Sequence, residues 1–466
     1  MIFTALEPTA GRVRQNGPPW LLKSTLFAVM VFPPYMVLEP VGASGSLPEM
    51  MALTLFGIWA VSAALGLHDP VGFRHPGRAA VLLLLLASCI SYAHLYAGLS
   101  GASTVIGRAA ADRWMLLTIA ATGIVFVTTE SVRTAKDAMV LVRWVLAGGS
   151  VCCLVAVIQF ITHTNPVGWL QAVMVGFIDN HSGTAFQPRA SFMRVSGTTM
   201  HPIELGVVSA MLLPLSVWRA LYDVEGRKRL HWIAVGLFAL ANAMTVSRSG
   251  LLGLIIALAI TVPFLPRLAR RWAGVIVPIS AAGLFVGVPG LIGTLFNTST
   301  AGSSDSSITY RTEDYPMALR LVADRPWFGT GPGTWIPARA IDTFDNEYLF
   351  VAVTMGVIGL VAFIAYLVIP ALAALAAARN AEGNELRLLA ASAAAAGLIA
   401  AVSSGTFDSM SFPVFALLCP FFIGLSGATW LMVKNQLDHR LSTPSGTKPA
   451  AVPGGVGKYD GSDFCT

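Results

Sequence analysis

Residues 306–335 read SSITYRTEDYPMALRLVADRPWFGTGPGTW, and residues 344–359 read FDNEYLFVAVTMGVIG. The first stretch is polar and rich in arginine, glycine and proline. The second turns within a few residues into an apolar run long enough to cross a bilayer. Together they make up most of segment 296–347, which parts two hydrophobic blocks. Two membrane helices can be joined by a far shorter connection, and loops of this length are usually functional or disordered. Helix, turn and aromatic signals in this one predict an ordered loop that carries half of an active site.

The rest of the chain belongs to lipid. Of 466 residues, 55% are hydrophobic and 12% charged, against about 25% charged in soluble domains; mean hydropathy is +0.69. Twelve apolar runs approach spanning length: 20–38, 50–67, 79–97, 114–129, 138–162, 202–218, 231–247, 250–266, 273–295, 348–377, 386–404 and 411–433. Only Ser247, Arg248 and Ser249 part the seventh from the eighth. These runs predict an all-α polytopic membrane protein with about 12 transmembrane helices. Its segments are a cytoplasmic start (1–19), helices one to nine (20–295), the long structured extracytoplasmic loop (296–347), helices ten to twelve (348–433) and a tail (434–466). The Pro/Gly/Ser-rich tail predicts disorder.

Lysine and arginine set the orientation. With both termini cytoplasmic, 21 of the 30 basic residues fall inside and nine outside. The net charge of +6 is therefore a topology signal, and nucleic acid is not an expected partner. The polar first twenty residues and the long first apolar run argue against a cleaved signal peptide. Four of the five cysteines lie in spans and Cys465 in the tail, so neither disulfides nor a metal site is expected.

The nine outer basic residues are all arginine: Arg108, Arg113, Arg189, Arg194, Arg248, Arg311, Arg320, Arg325 and Arg339. A guanidinium offers a fixed fork of donors that matches phosphate oxygens. The chain holds only six lysines, so residue type is weak support and position says more. In RASFMRVSGTTMHPIELG (189–206), Arg189 and Arg194 stand just outside a span, Gly197 permits a tight turn, and Pro202 suits a helix start. These arginines either bind substrate or snorkel at the interface; His201 is a functional or a merely interfacial histidine. In TVSRSG (245–250), Arg248 sits between two apolar runs, where charge is expensive and tends to be functional. The alternative is a hairpin whose arginine reaches for headgroups.

Within the long loop a short helix is expected from Pro316 to Ala323, stopped by Pro326 and Gly329. Arg320 and Asp324, four apart, either pair on its surface or bind substrate; Arg311 precedes it. Gly329, Gly331 and Gly333 lack the βαβ context of a nucleotide-binding loop and are expected to bend the backbone against the bundle. Asp345, beside Asn346 and Tyr348, is a salt-bridge partner or a base for a hydroxyl proton. Gly356 and Gly359 would let helices pack closely.

These elements, in this order, resemble the O-antigen ligase/polymerase superfamily of bacterial polytopic glycosyltransferases. The matching residues are Arg194, Gly197, His201 and Pro202; Ser247-Arg248; Arg311; RPWFGTGPG at 325–333; and Asp345–Leu349 with its trailing glycines. The motifs cover roughly 185–365; elsewhere the likeness is one of span pattern. The resemblance implies a glycan donor on undecaprenyl diphosphate, a glycan or lipid acceptor, and transfer at the outer leaflet of the bacterial cytoplasmic membrane. It implies no cofactor or metal, and it gives Arg194, Arg248 and Arg311 to the diphosphate. Where the ligase branch has histidine, this chain has Asp345, which leans toward a polymerase or a ligase with another acceptor.

The residues alone support coherent chemistry. Breaking a glycosyl–diphosphate bond leaves charge that fixed guanidinium groups stabilise. An acceptor hydroxyl attacks from the opposite face with inversion, its proton drawn by Asp345 or His201. Substrate contacts are expected from Arg189, Arg194, Arg320, Asn346 and Tyr348. Two rival readings are a flippase-like transporter, which would carry polar groups deep within several spans, and another polyprenyl-phosphate-sugar glycosyltransferase with an acid in its first outer loop, here Glu39 or Glu49.

Overall fold

The computed structural model describes residues 17–67, 75–100, 104–189, 192–287, 306–336 and 343–442. The described chain is largely helical, with two short antiparallel ribbons, β1 (Met36–Leu38) with β2 (Phe177–Asp179) and β3 (Phe186–Arg189) with β4 (Phe192–Val195). Its helices are α1 (Trp20–Val31), α2 (Leu47–Ala64), α3 (Pro76–Tyr96), α4 (Val105–Ser131), α5 (Ala135–Thr162) and α6 (Gly168–Val173). After these come α7 (Pro202–Tyr222), α8 (Lys228–Met244), α9 (Arg248–Thr261), α10 (Arg267–Gly287) and α11 (Ser306–Asp324). The last three are α12 (Glu347–Asn380), α13 (Asn384–Ser403) and α14 (Pro413–Ser442). Among the described residues eight helices are long and apolar enough to cross a membrane: α2, α3, α4, α5, α7, α12, α13 and α14. Trp20–Val31 and Arg248–Phe264 are apolar but shorter; α8 and α10 coincide with two further apolar runs of the sequence.

The core forms where small and large side chains alternate between packed helices. Helix α13 buries Ala390, Ala391 and Ala393 to Ala396 without exposure, and such small residues let helix backbones approach closely. Helix α14 is the central post: 89% of its apolar window is buried, and Phe415, Phe421 and Phe422 fill the space around it. Helix α14 runs to Ser442, so residues 434–442 are helical rather than disordered; 443–466 lie outside the described residues.

Helix α12 is broken. Gly356 takes φ +66°, ψ −167° inside it, which frees backbone groups that hydrocarbon cannot satisfy. The loop RPWFGTGPGT fills the break. Val357 N–H donates to Pro326 C=O at 2.8 Å, Gly331 N–H to Thr354 C=O at 2.8 Å, and Thr330 N–H to Val353 C=O at 3.3 Å. Ser91 Oγ of α3 donates to Phe328 C=O at 2.8 Å and to Thr354 C=O at 3.3 Å. A Cβ on Gly329 would sit 2.4 Å from the Thr354 carbonyl, and one on Gly356 would sit 2.4 Å from that of Trp327. The glycines thus bend the loop against the bundle, as expected, and Gly356 serves the break rather than helix packing.

The helix within the long loop is longer than the expected 316–323. It spans Ser306–Asp324 with Pro316 inside, so Arg311 lies in the helix and does not precede it. Ala318 packs with Phe344 and Val353, which seats α11 on the start of α12.

Ion pairs mark the face at which α4 and α7 end. Arg78 pairs with Glu130, which also accepts from Trp59 Nε1 at 3.0 Å. Arg143 grips Asp223 with Nε and Nη2 at 3.0 and 2.6 Å, and Arg219 Nε adds 3.1 Å. Burial pushes the Asp223 carboxyl up, but the bonds from Arg143, Glu225 N–H and Arg219 outweigh it and hold it at about 2.

Gly356→Ala puts a Cβ into the Trp327 carbonyl at a left-handed φ, which costs on the order of 2 kcal/mol in strain alone. A lowered midpoint of thermal unfolding in detergent is the expected result; an unchanged midpoint would show that the break is not held by this contact.

Candidate active site

The site lies at the ends of the helices opposite those ion pairs, where α7, α9, α12 and α14 all begin. A strand ribbon prepares it: β3 (Phe186–Arg189) pairs antiparallel with β4 (Phe192–Val195), with Gln187 opposite Arg194. Arg194 is buried, 5% exposed. Its Nη1–H donates to Gln187 Oε1 at 2.9 Å and its Nε–H to the Thr245 carbonyl at 2.7 Å. That second bond ties β4 to the hairpin that carries Arg248.

After β4 the chain turns at Gly197, φ +63°, where a Cβ would meet the Cys152 carbonyl at 2.7 Å. Gln159 of α5 clamps this turn, accepting from Gly197 N–H at 2.8 Å and donating to its carbonyl at 3.1 Å. Thr198 Oγ1 donates to Met30 C=O at the end of α1, at 2.6 Å. His201 then caps α7: its Nδ1 accepts from Ile203 N–H at 3.1 Å, and its ring lies 5.9 Å from that of Phe412. Burial, then the nearby Arg194 charge, push the imidazole down to about 4. A neutral ring with Nδ1 accepting carries its proton on Nε2.

Arg248 opens α9, half-buried. The hairpin before it is strained, since Val246, a β-branched residue, has φ +44°. The bundle holds it there. Asn242 Nδ2 donates to Gly206 C=O at 2.7 Å and to Gly250 C=O at 3.1 Å. A Cβ on Gly206 would meet Thr245 Oγ1 at 2.8 Å. Ser249 Oγ and Thr406 Oγ1 are 2.8 Å apart, which binds this hairpin to the connection between α13 and α14.

That connection, 404–412, brings in residues the sequence reading passed over. Asp408 lies there, half-buried. Burial and the charge of Asp345 push its carboxyl up to about 6, against the pull of hydrogen bonds within its own turn. Asp345 itself is exposed, immediately before α12. Glu204 and Glu347, both fully buried, brace the connection. Glu204 accepts from Met200 N–H at 2.8 Å and from Phe415 N–H at 2.9 Å. Glu347 accepts from Met410 N–H at 2.9 Å. The signals were present in the sequence: an acid in the first turn of two apolar runs, and a polar break, FDSMS at 407–411, between the last two.

The remaining expected site residues fare differently. Asn346 caps α12, its Oδ1 accepting from Tyr348 and Leu349 N–H at 3.0 and 3.4 Å. Tyr348 donates its hydroxyl proton to Ala401 C=O at 2.5 Å. Both side chains build the site's frame. Arg320 is exposed on α11. Arg189 ends β3 opposite Phe192 and Arg311 lies in α11, but the side chains of both lie outside the described part. Glu49 is buried in the first turn of α2. Among the described residues no three His, Cys, Asp or Glu side chains gather in a metal-binding group.

This arrangement can bind an anion and move a proton. Two arginines and four helix N-termini give a positive floor, since each N-terminus carries about half a unit charge and free N–H groups. Asp345 lies near enough to Asp408 for its charge to help raise that carboxyl. Comparison with known families agrees with this chemistry: residues 233–364 match the family model described as O-antigen ligase. Over that stretch the chain is similar to the O-antigen ligase family. The O-antigen ligase match takes in Arg248, Arg311, Asp345 and the broken start of α12, while Arg194, His201 and Asp408 fall outside it. A search of curated proteins finds no match.

Proposed function

We propose that this membrane protein transfers a glycan from a polyprenyl diphosphate carrier, undecaprenyl diphosphate in a bacterium, to a hydroxyl of an acceptor glycan or lipid. In this reading the chain crosses the bacterial cytoplasmic membrane twelve times with both termini inside, and the site faces out. What supports the reading is the bond from Arg194 to the Thr245 carbonyl, which ties the strand of one arginine to the hairpin of the other, near the starts of α7 and α9. That is a seat for a diphosphate, and its charge grows as the glycosyl bond breaks. Guanidinium groups, with Arg311 of the long-loop helix proposed among them, take the place a metal ion would otherwise fill.

The acceptor hydroxyl attacks the anomeric carbon as the diphosphate leaves on the far side, so the configuration inverts. Its proton passes to the carboxylate pair. His201, with Nδ1 held by Ile203 N–H, is a donor through Nε2 and contributes a hydrogen bond rather than basicity. Asp345 in the place of a histidine favours chain polymerisation, or ligation to an acceptor other than a lipid A core.

Arg248→Ala should lower kcat about 10²-fold or more, equivalent to about 3 kcal/mol of transition-state stabilisation. The assay is glycan transfer by purified protein with lipid-linked glycan extracted from cells lacking the gene, and wild-type turnover would remove Arg248 from the mechanism. The base must be unprotonated to act. With Asp408 held up to about 6, activity should be full above that pH and fall as pH drops through it. Asp408→Asn should abolish this acid limb together with most of the rate; an unchanged limb would exclude Asp408 as the base.

A further inference from the structure

An acid favours a helix start from the surface, but Glu347, the first residue of α12, is not at the surface. It is 0% exposed, and burying a carboxyl is costly unless its oxygens are bonded. One oxygen accepts from Met410 N–H at 2.9 Å; the other, Oε1, has no protein partner among the described residues. On the backbone side, Glu347 N–H donates to Ser404 C=O at 2.9 Å. One residue therefore grips the α13–α14 connection at both ends, at 404 and at 410, and Asp408 lies between the two grips.

The neighbours complete the brace. Ser404 Oγ and Ser409 Oγ are 2.8 Å apart, and Ser411 N–H donates to Asp408 C=O at 3.0 Å. Tyr348, next in sequence, holds Ala401, and Asp345 precedes Glu347 by two residues. The same short stretch thus carries one carboxylate of the pair and fixes the other. We propose that Glu347 is a positioning residue: through the Met410 N–H it holds Asp408 opposite Asp345, so that the two carboxylates act on one acceptor hydroxyl. The proposal rests on the glycan-transfer reading above for its chemistry, but its geometry stands apart from that reading.

Two substitutions separate reach from acidity. Glu347→Asp keeps the carboxyl group and withdraws it by one methylene from Met410 N–H. Glu347→Gln keeps the reach and an acceptor oxygen without the acid. In the transfer assay, E347D is expected to lower kcat about tenfold with the KM for the lipid-linked donor within about twofold. E347Q is expected to keep kcat within about threefold. A second readout needs no turnover: with Asp408→Cys as a probe, maleimide labelling should rise several-fold when E347D is added and stay low with E347Q. The reverse order of the two variants, or labelling unmoved by E347D, would overturn the proposal. Raised labelling with unchanged kcat in E347D would overturn it as well, by detaching the brace from the chemistry. A wild-type protein that transfers no glycan defeats the functional reading alone, and the labelling pair still reports on the brace.

Discussion

An unpaired backbone amide in hydrocarbon costs several kcal/mol, and at the end of the bundle where α7, α9, α12 and α14 begin the chain leaves regular helix repeatedly. Every one of those departures needs a partner from within the protein. Gln159 closes the Gly197 turn, Asn242 closes the α8–α9 hairpin, Glu204 joins the starts of α7 and α14, and Glu347 holds the last connection. Each of these side chains links two separate stretches, so satisfying the backbone also draws the helix starts together. The positive ends of four helices then share one small space. The proposed anion seat would follow from the same bonds that keep irregular backbone tolerable in lipid.

The two faces treat arginine differently. On the ion-paired face Arg78 and Arg143 meet carboxylates of Glu130, Asp223 and Glu225, and their charge is spent on locking helix ends. At the site, the bonds named for Arg194 run to a carbonyl and an amide oxygen. Such neutral acceptors fix the direction of a guanidinium. The strained Val246 belongs to the same logic, because rare backbone conformations persist where surrounding structure over-determines them and cluster at functional sites.

Much of this could be read from the sequence, and the limits have physical causes. Helical spans follow from apolar run length alone. The importance of Arg248 follows from the cost of charge between two such runs, and the glycine-rich loop was legible as a bending device because no other use fitted its context. The break at Gly356 was not legible: a glycine in a span suits close packing and a kink equally well, and only the inserted loop decides. Asp408 was missed because a short polar break reads as an ordinary turn, and Glu204 and Glu347 because an acid near a helix start reads as surface capping. Asn346 and Tyr348 erred the other way, since polar residues beside a candidate base look like ligands until their partners are seen. Arg311 was put ahead of the helix because Pro316 reads as a start, whereas a proline tolerates the interior when its lost bond faces outward.

The distribution of charge around the site bears on the direction of attack. Arg194 and Arg248 belong to the side built by β4, α7 and α9; Asp345 and Asp408 belong to the side built by α12 and the α13–α14 connection. A diphosphate, twice negative or more, is drawn to the first side and repelled from the second. A base must work where the diphosphate is not, or its own proton affinity would be set by the leaving group. In the proposed reading the acceptor is taken up at the carboxylates and the diphosphate at the arginines. Inversion at the anomeric carbon belongs to the same proposal. Two acids side by side lift the proton affinity of one of them, as burial and Asp345 do for Asp408, bringing a carboxyl toward the range in which an imidazole works.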